Sequence, residues 1–345
     1  MMRSDSWRLE LLDRSGHAKG DLPTAVSGSL QWSIFRSVQG TGSVELTAAP
    51  GVEIDWLRDR VRISHIGAGR TTPMGVWLIS MPGWKREGPV TRTTLALADK
   101  TEALNTPIGS WVTVPTGIPV VANVVEVIRG RGEQAIAFTP STAVTTVAMT
   151  WEPQDTYLKL CNDLLKTINY SPLWADLDGR LRIDPYILPG DRPVVASYGG
   201  GDDQLRMLPD WEDEADVFRL PTGVRIYVPG SDKAPGFVGR ADLPREHPLS
   251  AHSRGREILL VEQAEVVSQQ VADALAQRRL AETIQVTRRV TITHPIDGTT
   301  LNDVVLHDPL GLRAAIVERT VKLSVGAVVT SVLRHIHTGG QLPWT

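Results

Sequence analysis

His335 and His337 stand two apart in RHIHTGG, and His307 opens the same C-terminal stretch. On a strand, side chains two apart share a face, so this pair would offer two imidazoles to one side. Zinc accepts that geometry but needs a third protein ligand and a group behind a ring nitrogen to orient it. His247, His252 and His294 also fall in the C-terminal part of the chain. No HExxH or other fixed spacing ties these histidines together. The expectation is imidazoles facing water near a strand end, with no metal residue assigned.

The other reactive types give equally little. Carboxylates cluster at Asp202-Asp203, inside a Gly-rich stretch, and at Glu212-Asp213-Glu214, which reads as a solvated loop ahead of a strand at Val217. A glycosidase needs two converging carboxyl groups, and nothing in the spacing makes these converge. Cys161 lies on an apolar helical stripe, where a buried core thiol is expected; a nucleophile needs an accessible, electropositive setting. As the single cysteine it also excludes an intrachain disulfide. There is no GxSxG elbow. SYGGGDD at 197–203 has the glycines of a phosphate loop without the GK[ST] ending or a following helix. AGRTT at 68–72 reads as a turn, and Arg254 and Arg256 read as ordinary surface cations. No catalytic, cofactor-binding or metal residue is assigned, no cofactor is expected, and the chain is not expected to be an enzyme.

The elements that would position such residues form a mostly β fold with an α+β insert. The 345 residues suffice for two or three domains. A net charge of -3 argues against a dedicated nucleic-acid binder. MMRSDSWRLELLDRSG lacks the apolar run of a signal peptide, and no segment is long and apolar enough to span a membrane, so a soluble protein made in the cytoplasm is expected. In 1–98, Trp7, Leu9 and Leu11, then Leu30, Trp32 and Ile34, then Val44 and Leu46, then Val61 and Ile63 alternate with polar residues. That period, broken every ten to fifteen residues, predicts an antiparallel barrel or sandwich, with a hairpin turn at 13–16. In 99–190, Val120, Val121, Val124, Val125 and Ile128 form a helical stripe stopped by Gly130. A second stripe, Tyr157, Leu158, Cys161, Leu164, Leu165 and Ile168, predicts a helix over 153–170. A hairpin with an Asp178-Gly179 turn follows at 173–184 and is expected to pack on that helix. Residues 191–204 read as a linker. Strands return in 205–345, interrupted by a helix at about 265–283.

The segment CNDLLKTINYSPLWADLDGRLRIDPYILPGDRP, residues 161–193, resembles the helix-then-hairpin part of minor tail proteins from phages of actinobacteria. Residues 249–340 resemble the closing domain of phage tail and baseplate hub proteins, through REILLVE, VSQQVADALAQRRLAE, VTRRVTITHP, LNDVVLHD and AAIVERTVKLSVGAVVTSVLRHI. The resemblance implies two tube-type antiparallel β-barrel domains, 1–98 and 205–345, around the α/β insert. It implies a homotrimer whose six barrels form a pseudo-hexameric ring. That ring would adapt the sixfold tail tube or distal tail protein to a threefold spike or tail fibre, next to the tape measure protein, and let DNA pass unread through its channel. The location implied is the virion tail tip. Tail-associated lysins carry their hydrolase after the hub; the chain ends about ten residues past its last strand, so no such activity is expected. Three other classes remain: a hexameric distal tail protein, a cell-wall hydrolase using carboxylates or a histidine-bound metal, and a carbohydrate-binding module. Tryptophans would serve the last as sugar platforms, but Trp32, Trp77 and Trp174 lie in strand runs and are read as core.

Overall fold

The computed structural model describes residues 5–23, 25–46, 53–67, 69–87, 90–201, 204–215, 220–230, 236–264, 269–284 and 288–336. The protein is mostly β with few helices. It divides into two compact units. The first comprises residues 1–188, 294–301 and 318–330; the second comprises 189–293, 302–317 and 331–345.

The first unit begins with β1 (Ser6–Leu12), β2 (Ala18–Asp21), β3 (Ala25–Ser33), β4 (Gly40–Leu46), β5 (Arg60–Gly67), β6 (Arg70–Glu87) and β7 (Val90–Asp99). The turn expected at 13–16 is present: Gly16 takes φ 90°, where a side chain would be strained, and joins β1 to β2. Alternation places Leu9, Leu11, Leu30, Trp32, Val44, Leu46, Val61 and Ile63 in the core. Ile34 departs from this reading, because β3 ends at Ser33 and Ile34 sits in the following turn. The strands lie in the order β3-β4-β7-β6-β5-β1-β2, every neighbour antiparallel. β2 and β3 occupy opposite ends of this path, yet only residues 22–24 connect them. So short a link spans about 10–15 Å, whereas seven strands laid flat would separate the ends by about 30 Å. The sheet therefore curls strongly, although no closed barrel is found among the described residues.

Residues after β7 form the α/β part of the same unit: β8 (Val112–Val114), α1 (Val120–Gly130), β9 (Ile136–Phe138), β10 (Met149–Trp151), α2 (Tyr157–Thr167), β11 (Trp174–Ala175) and β12 (Leu181–Ile183). α1 buries all five residues of its predicted stripe. α2 is shorter than the 153–170 reading. Thr156 caps it by accepting from the Lys159 N–H, which leaves Pro153 in the turn before it. Its stripe Leu158, Leu160, Cys161, Leu164 and Leu165 shares one core with the α1 valines, Leu173, Leu181 and Ile183. The predicted packing of helix on hairpin is thus observed. Gly179, at φ +80°, turns the β11–β12 hairpin, and the Asp176 carboxylate accepts from the Asp178 and Arg180 N–H groups.

The second unit holds β13 (Val194–Gly199), β14 (Leu205–Arg206), β15 (Trp211–Ala215), β16 (Gly223–Val228), β17 (Phe237–Asp242), α3 (Ala251–Arg254), β18 (Leu259–Gln263), α4 (Gln269–Ile284) and β20 (Val304–His307), with most of β19 (Arg288–Pro295) and parts of β21 (Leu312–Lys322) and β22 (Val328–His335); residues 294–295, 318–322 and 328–330 of these last three strands belong to the first unit. Two expectations are corrected here. The stretch 191–204 contains β13, parallel to β20. Glu212-Asp213-Glu214 is not a loop but β15, antiparallel to β19, with Asp213 held by Arg288 at 2.6 Å. α4 lies where the helix at about 265–283 was expected; residues 265–268 and the Asp202-Asp203 pair fall outside the described residues. α4 packs on β16 and β17 around Val224, Ile226, Ala272, Ala276 and Leu280. A Cβ on Gly239 would come within 2.3 Å of the Ala272 backbone, so only glycine allows this strand and helix to approach so closely.

With β16–β18 and α4 set aside as an insertion, the order in the second unit is β15-β19-β22-β21-β20-β13-β14. In chain order, both units read third, fourth, seventh, sixth, fifth, first, second. Both also join their second and third strands, at opposite ends of the path, by a short link, residues 207–210 in the second unit. One strand differs in sense: β13 runs parallel to β20, whereas β1 runs antiparallel to β5.

Candidate functional site

The structure scatters the histidines. His335 ends β22 half-buried, and His337 lies outside the described residues. His247 accepts from the Leu249 N–H at 3.1 Å, and His252 lies on the short α3. His294 is fully buried, 3.0 Å from Asp297 and 2.9 Å from the Pro295 carbonyl. Among the described residues, no three His, Cys, Asp or Glu side chains are placed to hold a metal ion. Cys161 is fully buried, and burial pushes its thiol up to about 12, far from a reactive thiolate. Arg254 donates to the Leu220 carbonyl, which ties it to the fold. Arg70 begins β6 rather than sitting in a turn, and Ser197–Gly199 belong to β13. Trp32 and Trp77 are buried with ring centroids 5.4 Å apart, and Trp174 is half-buried under the Arg182 guanidinium. Trp32 and Trp77 are core residues, as expected; Trp174 is not part of the core.

His307 behaves unlike the rest. It ends β20, is fully buried, and neither ring nitrogen has a hydrogen-bond partner among the described residues. The Trp211 ring meets it edge-on at 5.6 Å. Burial holds its pKa below the ordinary imidazole value; Arg288 adds to this, while Asp213 and Asp308 oppose it. In the unfolded chain it would bind a proton near pH 6.5; folded, it binds one only at lower pH. The unfolded state thus binds more protons in acid. Stability is full above about pH 6.5 and falls as pH drops through that value towards the folded pKa. His65 and His247 are shifted the same way by burial, so the test is a difference. Urea midpoints at pH 7.5 and 5.5 should converge in His307→Phe relative to the unchanged chain. An equal acid loss in both would show that His307 does not carry it.

The strongest electrostatic feature joins residues that sequence reading passed over. Glu133 is buried with Arg60 Nη2 2.7 Å from one carboxylate oxygen and Lys100 Nζ 2.7 Å from the other. Arg60 comes from β5, Lys100 from the turn after β7, and Glu133 from the chain after α1. The cluster therefore ties the first strands to the α/β part of the same unit. Nearby, buried Asp99 accepts from the Gly40 N–H and from the Thr101 N–H and hydroxyl. Burial outweighs these bonds and raises its pKa. None of these residues stood out in the sequence, and nothing local marks Glu133. Both oxygens of Glu133 and both of Asp99 are thus taken up by partners within the unit.

What remains open is backbone. The β6–β7 hairpin continues to Glu87↔Val90, well past Leu78, the last β6 residue paired with β5. β15 pairs only with β19 among the described residues. Exposed apolar side chains mark both places: Met81 and Trp84 are 67 % and 60 % exposed on β6, and Trp211 is 37 % exposed on β15. Open edges flanked by large apolar groups are characteristic of assembly.

No family model and no curated protein matches the chain. Solved structures do. The 43 kDa tail protein of prophage MuSo2 from Shewanella oneidensis superposes with a TM-score of 0.68 at 14 % identity, over 96 % of this chain and 98 % of that one. The chain has the fold of phage tail proteins. A tail protein from Neisseria meningitidis MC58 gives 0.68 at 11 % identity, covering 96 % and 97 %. The prophage tail protein gp18 from Listeria monocytogenes EGD-e gives 0.59 at 12 %, covering 96 % and 95 %. The likeness runs through both units and leaves no large part of the chain unmatched.

Proposed function

We propose that this chain is a structural hub protein of a phage tail tip, a homotrimer forming a pseudo-hexameric ring without catalytic turnover. The observation that carries the reading is the strand order found twice in one chain. Two strongly curled sheets of one order, each with its ends brought together by a short link, have the makings of two tube-type barrels. Three copies would supply six such barrels, enough for a ring that faces a sixfold tail tube or distal tail protein on one side and a threefold spike or fibre on the other. The α/β part and the β16–β18/α4 part are insertions at different points of the two strand orders, so they would break sixfold symmetry down to threefold. DNA would cross the channel without sequence readout, in line with the net charge of -3. The tape measure protein would meet the ring from the tube side. The fold shared with prophage tail proteins supports this placement in the virion.

Native mass spectrometry of the purified chain tests it. A trimer is expected, with a threefold ring by electron microscopy. A stable hexamer would favour a distal tail protein instead and would overturn the hub assignment.

A further inference from the structure

In each unit the sixth strand outruns the fifth. β21 pairs with β20 through Leu312–Ala315. Farther along, its Glu318–Lys322 belong to the first unit, where they pair antiparallel with Ser29–Ser33 of β3, the third strand. β6, the sixth strand of the first unit, has a matching extension: beyond Ile79 it pairs only with β7 among the described residues. β15, the third strand of the second unit, likewise has only β19. The chain thus makes one pairing of a sixth strand with a third strand. It also carries both halves of a second such pairing, unmade.

We propose that neighbouring copies of this chain meet by strand addition, the outer part of β6 on one copy pairing antiparallel with β15 on the next. This rests on the ring reading above and names its contact between copies. Each copy supplies one β6 extension and one β15 edge. The contact is therefore head-to-tail, the kind that closes into a ring when the rotation allows. Backbone hydrogen bonds would supply the pairing and side chains its specificity.

The charges are complementary. The β6 extension carries Lys85 and Arg86, and β15 carries Glu212 and Glu214, all exposed, beside Asp213, which Arg288 already holds. In the proposed pairing Trp84–Arg86 would lie alongside Trp211–Asp213. Pro82 has no N–H to donate, so the ladder begins at Gly83. Trp84 and Trp211, both exposed on the single chain, would be covered by the contact.

Cysteine pairs test this on the full chain. Trp84→Cys, Lys85→Cys and Arg86→Cys are each combined with Glu212→Cys; Cys161 is buried and needs no replacement. Mild oxidation should link copies through at least one of the three pairs, with covalent products stopping at three chains. A trimer by native mass that none of the pairs links would overturn the β6–β15 contact and leave the ring reading standing. A chain that stays monomeric at high concentration would overturn both. Charge reversal gives a second readout. Glu212→Lys with Glu214→Lys should weaken association at least tenfold, and adding Lys85→Glu with Arg86→Glu should restore it. Unchanged association in the first variant would overturn the contact as well.

Discussion

Glu133→Gln should destabilise the first unit by about 3–5 kcal/mol, the usual cost of removing one partner from a buried charge cluster. The carboxylate is 1 % exposed and binds two cations that are themselves buried, Arg60 and Lys100. An amide of the same shape keeps the packing and can still accept a bond at one atom. It leaves two positive charges in a desolvated site with no counter-charge between them. For a unit of about 200 residues this corresponds to a fall in Tm of about 10 °C. Replacing the whole cluster, as Arg60→Met with Lys100→Met and Glu133→Leu, removes the charges together and should lie much closer to the unchanged chain. The comparison separates charge from shape. If Glu133→Gln melted within about 2 °C of the unchanged chain, the cluster would not be holding these segments together.

The same cluster marks where the sequence stops being legible. α1 and α2 could be read directly, because a helix writes its buried face at three- and four-residue spacing within a single window. The Asp178-Gly179 turn was legible for the same local reason. Glu133 finds Arg60 73 residues away, a separation no local pattern records. β15 was misread because Glu-Asp-Glu has no apolar alternation. Its extended state is imposed by β19 and by Arg288 on Asp213, not by its own propensity. His307 was read as facing water, whereas the β15 residue Trp211 covers it. The repeated strand order lay beyond reach for a related reason: it exists only in which strands pair, and the two insertions fall at different points along it. At the level of chemistry, the search for a metal or nucleophile found types and spacings without partners. The open edges of β6 and β15 depend on which strands pair, so the residue types there, Trp84 and Trp211 among them, could not be read as edge residues from the sequence.

Leu165→Asp should be more disruptive still, at about 4 kcal/mol or more. Leu165 is fully buried on α2 and packs in one core with the α1 valines and with Leu173 and Leu181 of the hairpin segment. Truncating a buried leucine typically costs about 2–5 kcal/mol through lost transfer energy and the cavity left behind. The carboxyl group adds a polar atom with no partner there, for a further few kcal/mol even if it enters protonated. The damage should spread beyond the helix. The hairpin is anchored to α2 by the Asn162 side chain, which accepts from the Leu173 N–H at 2.8 Å, so helix and hairpin should loosen together. Two controls bracket the result. Leu165→Met keeps volume and polarity and should cost less than about 1.5 kcal/mol. Lys166→Asp, on the exposed side of the same helix, should shift stability by only about half a kcal/mol. Urea denaturation of the three variants, with hydrogen exchange at Leu181 and Ile183, reads both the energy and its reach. A Leu165→Asp chain with hairpin amides as protected as before would mean that the hairpin is held by β9 alone, to which β12 is paired, and not by the helix.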